Sequence, residues 1–182
     1  TDIKTPNLDK LASTGAKFSQ YYVQPMCTPT RAALMTGRYP FRYGLQTAVI
    51  PGTAAYGLDT SEWLMPQCLK EAGYATAIID KYWPKQRGFD YAYGATIGEL
   101  DYYTHGDAGV LDWFRDNKPV HEKGYATTLL GDDAVKYINE QSKDKPFYIY
   151  LTFNAPHTPY LAPKEIVEKY SGIADPTRRT YA

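Results

Sequence analysis

The stretch Cys27-Thr-Pro-Thr-Arg-Ala-Ala-Leu-Met-Thr-Gly-Arg38 brings a thiol, a guanidinium and a helix start together. Thr28 reads as an N-cap, Pro29 as the first helical residue, Arg31 to Met35 as the helix body and Gly37 as its stop. Cys27 is then expected just ahead of the first turn, where unpaired backbone N–H groups and the helix dipole favour negative charge. Arg31 follows one turn later and aims a second cationic group at the same spot. Sulfate and phosphate are the tetrahedral anions that suit such a place. From spacing alone, an ordinary reading stays open: a small buried residue, or a disulfide partner for Cys68, the other cysteine of the chain.

His157, in Ala155-Pro-His-Thr-Pro159, is the second candidate. It follows the apolar run Phe147 to Phe153, and α/β proteins place ligand-contacting groups on the loops that leave such strands. Imidazole exchanges protons near neutral pH, which suits an acid or base. Taken alone, His157 reads equally as a loop residue making one hydrogen bond, and Arg38 as half of a salt bridge at a helix end. His105 and His121 are expected at the surface. Trp83, Tyr102 and Tyr103 have the rings to stack on a sugar, but in a chain of 18 tyrosines packing is the expected role.

The elements that must position these residues alternate in type. A helix is expected from Pro6 to Gly15, with Thr5 as cap and Leu8 and Leu11 on its apolar side, then a short strand Phe18–Val23. Leu64–Ala72 reads as an amphipathic helix stopped by Gly73, and Tyr74–Ile79 as the strand leaving it. Thr127–Gln141 carries Leu129, Leu130, Ala134, Val135 and Ile138 at helical spacing. Phe147–Phe153 suits a strand buried on both faces, and Pro163–Tyr170 is a last short helix. Between Ile79 and Thr127 lies a long Tyr- and Gly-rich connection, expected to wall a site. Alternating strands and helices predict a layered α/β domain with a parallel or mixed sheet.

Composition narrows the classes. The 182 residues suit one domain or part of one, and 20 basic residues balance 20 acidic ones with no basic run, which speaks against nucleic acid as a partner. No apolar stretch is long enough for a membrane span, and Thr1–Asn7 resembles neither a signal peptide nor an initiating segment. The early helix and the polar ending at Thr180–Ala182 read as those of a piece of a larger chain.

The Cys27–Arg38 string resembles the signature of the type I sulfatases: Cys, any residue, Pro, Ser or Thr, Arg, then an apolar run ending in Thr-Gly-Arg. TPNLDKLASTGAKFSQYY, GYATAII, KYWPKQRGFDYAYG and APHTPYLAPKEI resemble other stretches of the same family, so the likeness spans nearly the whole chain. GELDYYTHGD and the IADPTRRTYA end are most similar to the arylsulfatase B branch, which includes N-acetylgalactosamine-4-sulfatases.

The resemblance implies an alkaline-phosphatase-like sandwich with a central mixed β-sheet flanked by helices. It also implies that Cys27 is converted to formylglycine by a formylglycine-generating or anaerobic sulfatase-maturing enzyme. The hydrated aldehyde then attacks the sulfur of a sugar or aryl sulfate beside Ca2+, with Arg31 steadying charge, His157 contacting the ester and protonating the leaving oxygen, and Arg38 supporting. Of the metal ligands, only Cys27 as formylglycine is present. The paired aspartates of the first strand, the later Asp-Asn pair and a further lysine have no counterpart here. IIDKYWPKQ reads as a join across a deletion or omitted loop, so Lys81 inherits no role. Residues 1–182 are accordingly expected to be part of an N-terminal catalytic domain that lacks its first strand, a loop after Ile79 and its C-terminal part. By analogy the compartment is periplasmic, secreted or lysosomal. Two alternatives stand beside this: a phosphonate or phosphate monoester hydrolase of the same superfamily, and an inactive fragment without a metal site.

Overall fold

The computed structural model describes residues 3–51, 54–79 and 87–182. Lys81, Trp83 and the expected join after Ile79 lie outside the described residues. The elements are α1 (Pro6–Thr14), α2 (Cys27–Thr36), α3 (Met65–Glu71), β1 (Ala75–Ile79), β2 (Tyr91–Gly94), β3 (Gly106–Asp107), β4 (Val110–Leu111), β5 (Phe114–Arg115), β6 (Lys118–Pro119), α4 (Ala126–Glu140), β7 (Phe147–Leu151), α5 (Lys164–Val167) and α6 (Pro176–Tyr181).

The main sheet runs β6-β5-β2-β1-β7. β1 pairs in parallel with β2 and β7, while β2–β5 and β5–β6 are antiparallel, so the sheet is mixed as expected. Every residue of β1 is buried, as a central strand covered on both faces must be. Its side chains alternate between two cores. Ile79 faces a cluster with Tyr93, Leu100, Tyr102, Trp113 and Leu130, roofed by α4. Ile78 faces the other way, with Phe89, Ala92 and Met35 of α2. Two helical layers thus enclose the sheet.

Several expectations change. β7 is not buried on both faces: among the described residues only β1 lies beside it, and Phe147 and Leu151 are exposed. Phe18–Val23 is not a strand, because β propensity needs a ladder partner and none is present among the described residues; Phe18, Tyr21, Tyr22 and Val23 all face outward. α1 has the expected span but buries neither Leu8 nor Leu11. On α4 the sheet-facing stripe is Ala126, Leu130, Asp133, Ala134 and Tyr137, leaving Val135 and Ile138 a quarter-turn away and exposed.

The stretch read as one long connection is in part built from ladder. It folds into β2, the β3–β4 hairpin and the β5–β6 hairpin, strands too short to show a period. His105 sits inside this unit and is buried, a correction to its expected surface position. Its ring stacks on Trp113 at 4.6 Å, and Nε2 lies 3.0 Å from the Gly124 carbonyl.

Candidate active site

α2 begins two residues sooner than the cap chemistry suggests. Met26 is the N-cap and Cys27 the first helical residue, while Thr28 turns its hydroxyl to accept the Ile50 N–H at 3.2 Å. The stop at Gly37 is as expected: φ is 66°, the left-handed region glycine tolerates, and its N–H donates to Ala33 O at 2.9 Å. Both Cys27 and Cys68 are exposed free thiols, so the disulfide reading falls away.

One face of α2, carrying Cys27, Thr28, Arg31 and Met35, lines a cavity of about 380 Å³ that is closed on the sheet side by Ile78, Phe89 and Tyr150. Cys27 and Arg31 therefore open onto one space, as their one-turn separation requires. The Arg31 guanidinium lies 5.3 Å from the centre of the Tyr150 ring, and Nη2 donates to Thr152 Oγ1 at 3.3 Å. Thr152 in turn donates its N–H to Ile79 O at 3.1 Å, continuing the ladder past the end of β7. Arg31 is thus docked at the C-terminal ends of the parallel strands, the end where α/β sheets bind ligands.

A second guanidinium reaches the same cavity. Arg87 is buried, its Nη2 donating to Leu58 O and Asp59 O at 3.1 and 3.0 Å, and its Nε is without a partner among the described residues. Thr96 and Ile97 complete the rim, their turn held by Asp112, which accepts both backbone N–H groups at 2.8 Å. Sequence reasoning passed over Arg87, Tyr150 and Asp112. Arg87 opens the quoted RGFDYAYG run, but its burial is settled by loop 58–59, far off in sequence.

His157 leaves the same end of the sheet on the loop after β7. It is exposed and is not among the residues lining the cavity. Its neighbour Asn154 connects the two, with Nδ2 donating to the carbonyls of Ile97 and Gly98, both at 3.3 Å. His157 Nδ1 lies 3.0 Å from Thr158 O. A carbonyl only accepts, so that contact puts the proton on Nδ1 and leaves the lone pair on Nε2. Arg38 is engaged elsewhere: Nη1 donates to both Glu62 carboxylate oxygens at 2.5 Å, and its guanidinium faces the Tyr43 ring, outside the cavity lining.

Calcium binds six to eight oxygen ligands. Among the described residues no group of three or more His, Cys, Asp or Glu side chains converges to hold a metal. The described residues thus do not fit a calcium cage. Nor, among them, is any helix long and apolar enough to cross a membrane.

The Sulfatase family model matches residues 1–182. The chain is 36% identical over 199 aligned residues to arylsulfatase J of Mus musculus, covering 100% of this chain and 33% of that protein. It is 33% identical over 189 residues to N-acetylgalactosamine-6-sulfatase of Homo sapiens, covering 88% of this chain and 36% of the relative. The crystal structure of Ps i-CgsB superposes with a TM-score of 0.88 at 33% identity, over 97% of this chain and 45% of that one. BT4656, solved with D-glucosamine-2-N,6-O-disulfate, gives 0.75 at 30% identity, over 91% and 32%. The chain thus spans about a third of the length of the curated relatives it matches. With the family match running from end to end and the fold shared with solved relatives, the chain belongs to the sulfatase family.

Proposed function

We propose that residues 1–182 form part of the N-terminal catalytic domain of a sulfuric ester hydrolase acting on sulfated carbohydrates or aryl sulfates. The observation that carries this is Cys27, an exposed thiol on the first turn of α2 that shares a cavity with Arg31, in a chain of this family. The relative named N-acetylgalactosamine-6-sulfatase and the disulfated glucosamine complex favour a sugar sulfate, and they favour sulfate over phosphate or phosphonate esters.

Cys27 is exposed enough to be the substrate of a maturation enzyme, and formylglycine at this position would supply a hydrated aldehyde as nucleophile toward sulfur. Around it, this chain's own residues have distinct tasks. The first turn of α2 presents backbone N–H groups to an anion. Arg31, held over the Tyr150 ring and tied to Thr152, balances the negative charge of the ester oxygens as the S–O bond lengthens. His157, once protonated, carries a proton at Nε2 that it can hand to the departing oxygen, while Nδ1–H to Thr158 O keeps the ring from turning. Arg87 adds a second positive charge to the wall. Arg38 supports the site at a distance by fixing the end of α2 through Glu62. A divalent cation belongs to this proposal only through family likeness, and no step is assigned to it because its carboxylate ligands are not among the described residues.

The test is mass spectrometry of the Cys27 peptide from the full-length parent protein made alongside a maturation enzyme, together with rates on matched aryl sulfate and aryl phosphate esters. A residue at position 27 lighter than cysteine by the thiol-to-aldehyde difference is expected, with preferential sulfate turnover that Cys27→Ala abolishes. An intact thiol in protein that hydrolyses no sulfate ester would overturn the proposal.

A further inference from the structure

The loop carrying His157 is held mostly from outside. Within it, the His157 N–H donates to Asn154 O at 2.9 Å. The other ties come from segment 97–125. Asn154 is bound to the Ile97 and Gly98 carbonyls, Tyr102 Oη donates to the His157 carbonyl at 2.9 Å, and Tyr125 Oη donates to the Leu161 carbonyl at 3.0 Å. Thr158 Oγ1 adds a bond to Glu99 at 3.0 Å.

Tyr102 is the best anchored of these. Only 1% of it is exposed, its ring stacks on Tyr125 at 5.6 Å, and its own carbonyl accepts the Ala126 N–H at 2.8 Å where α4 begins. Its hydroxyl is therefore fixed to the core while the residue it grips stands in solvent. Burial pushes that hydroxyl's pKa up to about 12, so it stays a donor across the working pH range.

We propose that Tyr102 is a positioning residue for His157, its buried hydroxyl setting where the imidazole stands over the substrate by holding the His157 carbonyl. This rests on the reading of His157 as the group that serves the leaving oxygen. The tether acts on the main chain and leaves the ring nitrogens alone. Tyr102 thus governs the reach of the proton rather than whether His157 holds one. Such an interaction matters most in the transition state, so its loss lowers kcat and spares KM.

The experiment is kinetics on an aryl sulfate with the full-length, matured parent protein carrying Tyr102→Phe, His157→Ala, or both. Tyr102→Phe is expected to lower kcat about 10-fold, with KM changed less than about twofold and the pH profile unmoved. In the His157→Ala background the same change is expected to cost nothing further, because the two act as one unit. Tyr125→Phe, whose hydroxyl grips Leu161 farther along the loop, should lower kcat by less. Unchanged kcat in Tyr102→Phe, or an equal loss with and without His157, overturns the positioning role alone. Full kcat in His157→Ala removes the reading of His157 itself, and this proposal with it.

Discussion

Replacing Arg115 with Met should unfold the chain more readily by about 2–3 kcal/mol, a figure built from its surroundings. Arg115 Nη1 lies 2.6 Å from Asp133 Oδ1, and only 5% of the Asp133 side chain is exposed. The guanidinium also reaches the Tyr91 hydroxyl and sits 4.0 Å over the Tyr93 ring, with Glu122 at 3.7 Å. Removing one member of a buried pair costs about 3–5 kcal/mol, because the other charge is left without compensation. Arg115 is 31% exposed, so water already weakens the pair, and the Tyr91 hydroxyl, which donates to Asp133 Oδ2 at 2.6 Å, is left in place as a partner for that carboxylate. Met also keeps an apolar stem over Tyr93. Each point lowers the cost below that range. Urea unfolding followed by tryptophan fluorescence reads it well, since Trp113 is fully buried and donates to Glu122 at 2.9 Å. With Asp133→Asn as the second arm of a double-mutant cycle, the coupling should be about 1.5 kcal/mol. Additivity within about 0.5 kcal/mol would show that the pair does not act as one buried unit. The same network ties β5 to β2 and α4, so it also frames the unit from which Tyr102 reaches His157.

Other outcomes follow from single contacts. Glu122 feels burial, which raises its pKa, but hydrogen bonds from Tyr93 and Trp113 and the charge of Arg115 outweigh it and hold the carboxyl below its usual range. Asp101 is held low by the Thr104 and Tyr103 backbone N–H groups. A folded pKa below the unfolded one gives stability that is complete above the unfolded value and lost as pH falls, so the urea midpoint should be level near neutrality and drop below about pH 4. A midpoint that holds steady to about pH 3 would contradict these bonds. Gly88→Ala should cost about 2–4 kcal/mol, since φ is +94° and a Cβ would stand 2.6 Å from the Gln67 nitrogen of α3; an unchanged midpoint would deny that approach. His105→Leu should cost about 1–3 kcal/mol by leaving the Gly124 carbonyl unpaired, and a surface histidine would show almost none of it.

The parts of the fold that showed in the sequence are those whose signal is local. Helices α1, α3 and α4 and the central strand β1 came within a residue or two of their expected bounds, because capping, glycine stops and side-chain periodicity act over a few residues. The meeting of Cys27 and Arg31 on one cavity was equally legible, as one helical turn leaves them nowhere else to go. Strands β3 to β6 were not, since two residues carry no period, and neither was the burial of His105, which depends on Trp113 arriving across a hairpin.

What the residues determine alone is chemistry at short range: a thiol, a guanidinium and an N-terminal turn in one helix, and an imidazole after an apolar strand. What the tertiary structure decides is where those pieces stand. Thr152 receives Arg31 from 121 positions away, and Tyr102 holds the His157 carbonyl across 55. Such bonds join partners whose spacing along the chain is arbitrary, and they form only once the packed sheet has met the loop-closure cost of bringing them together.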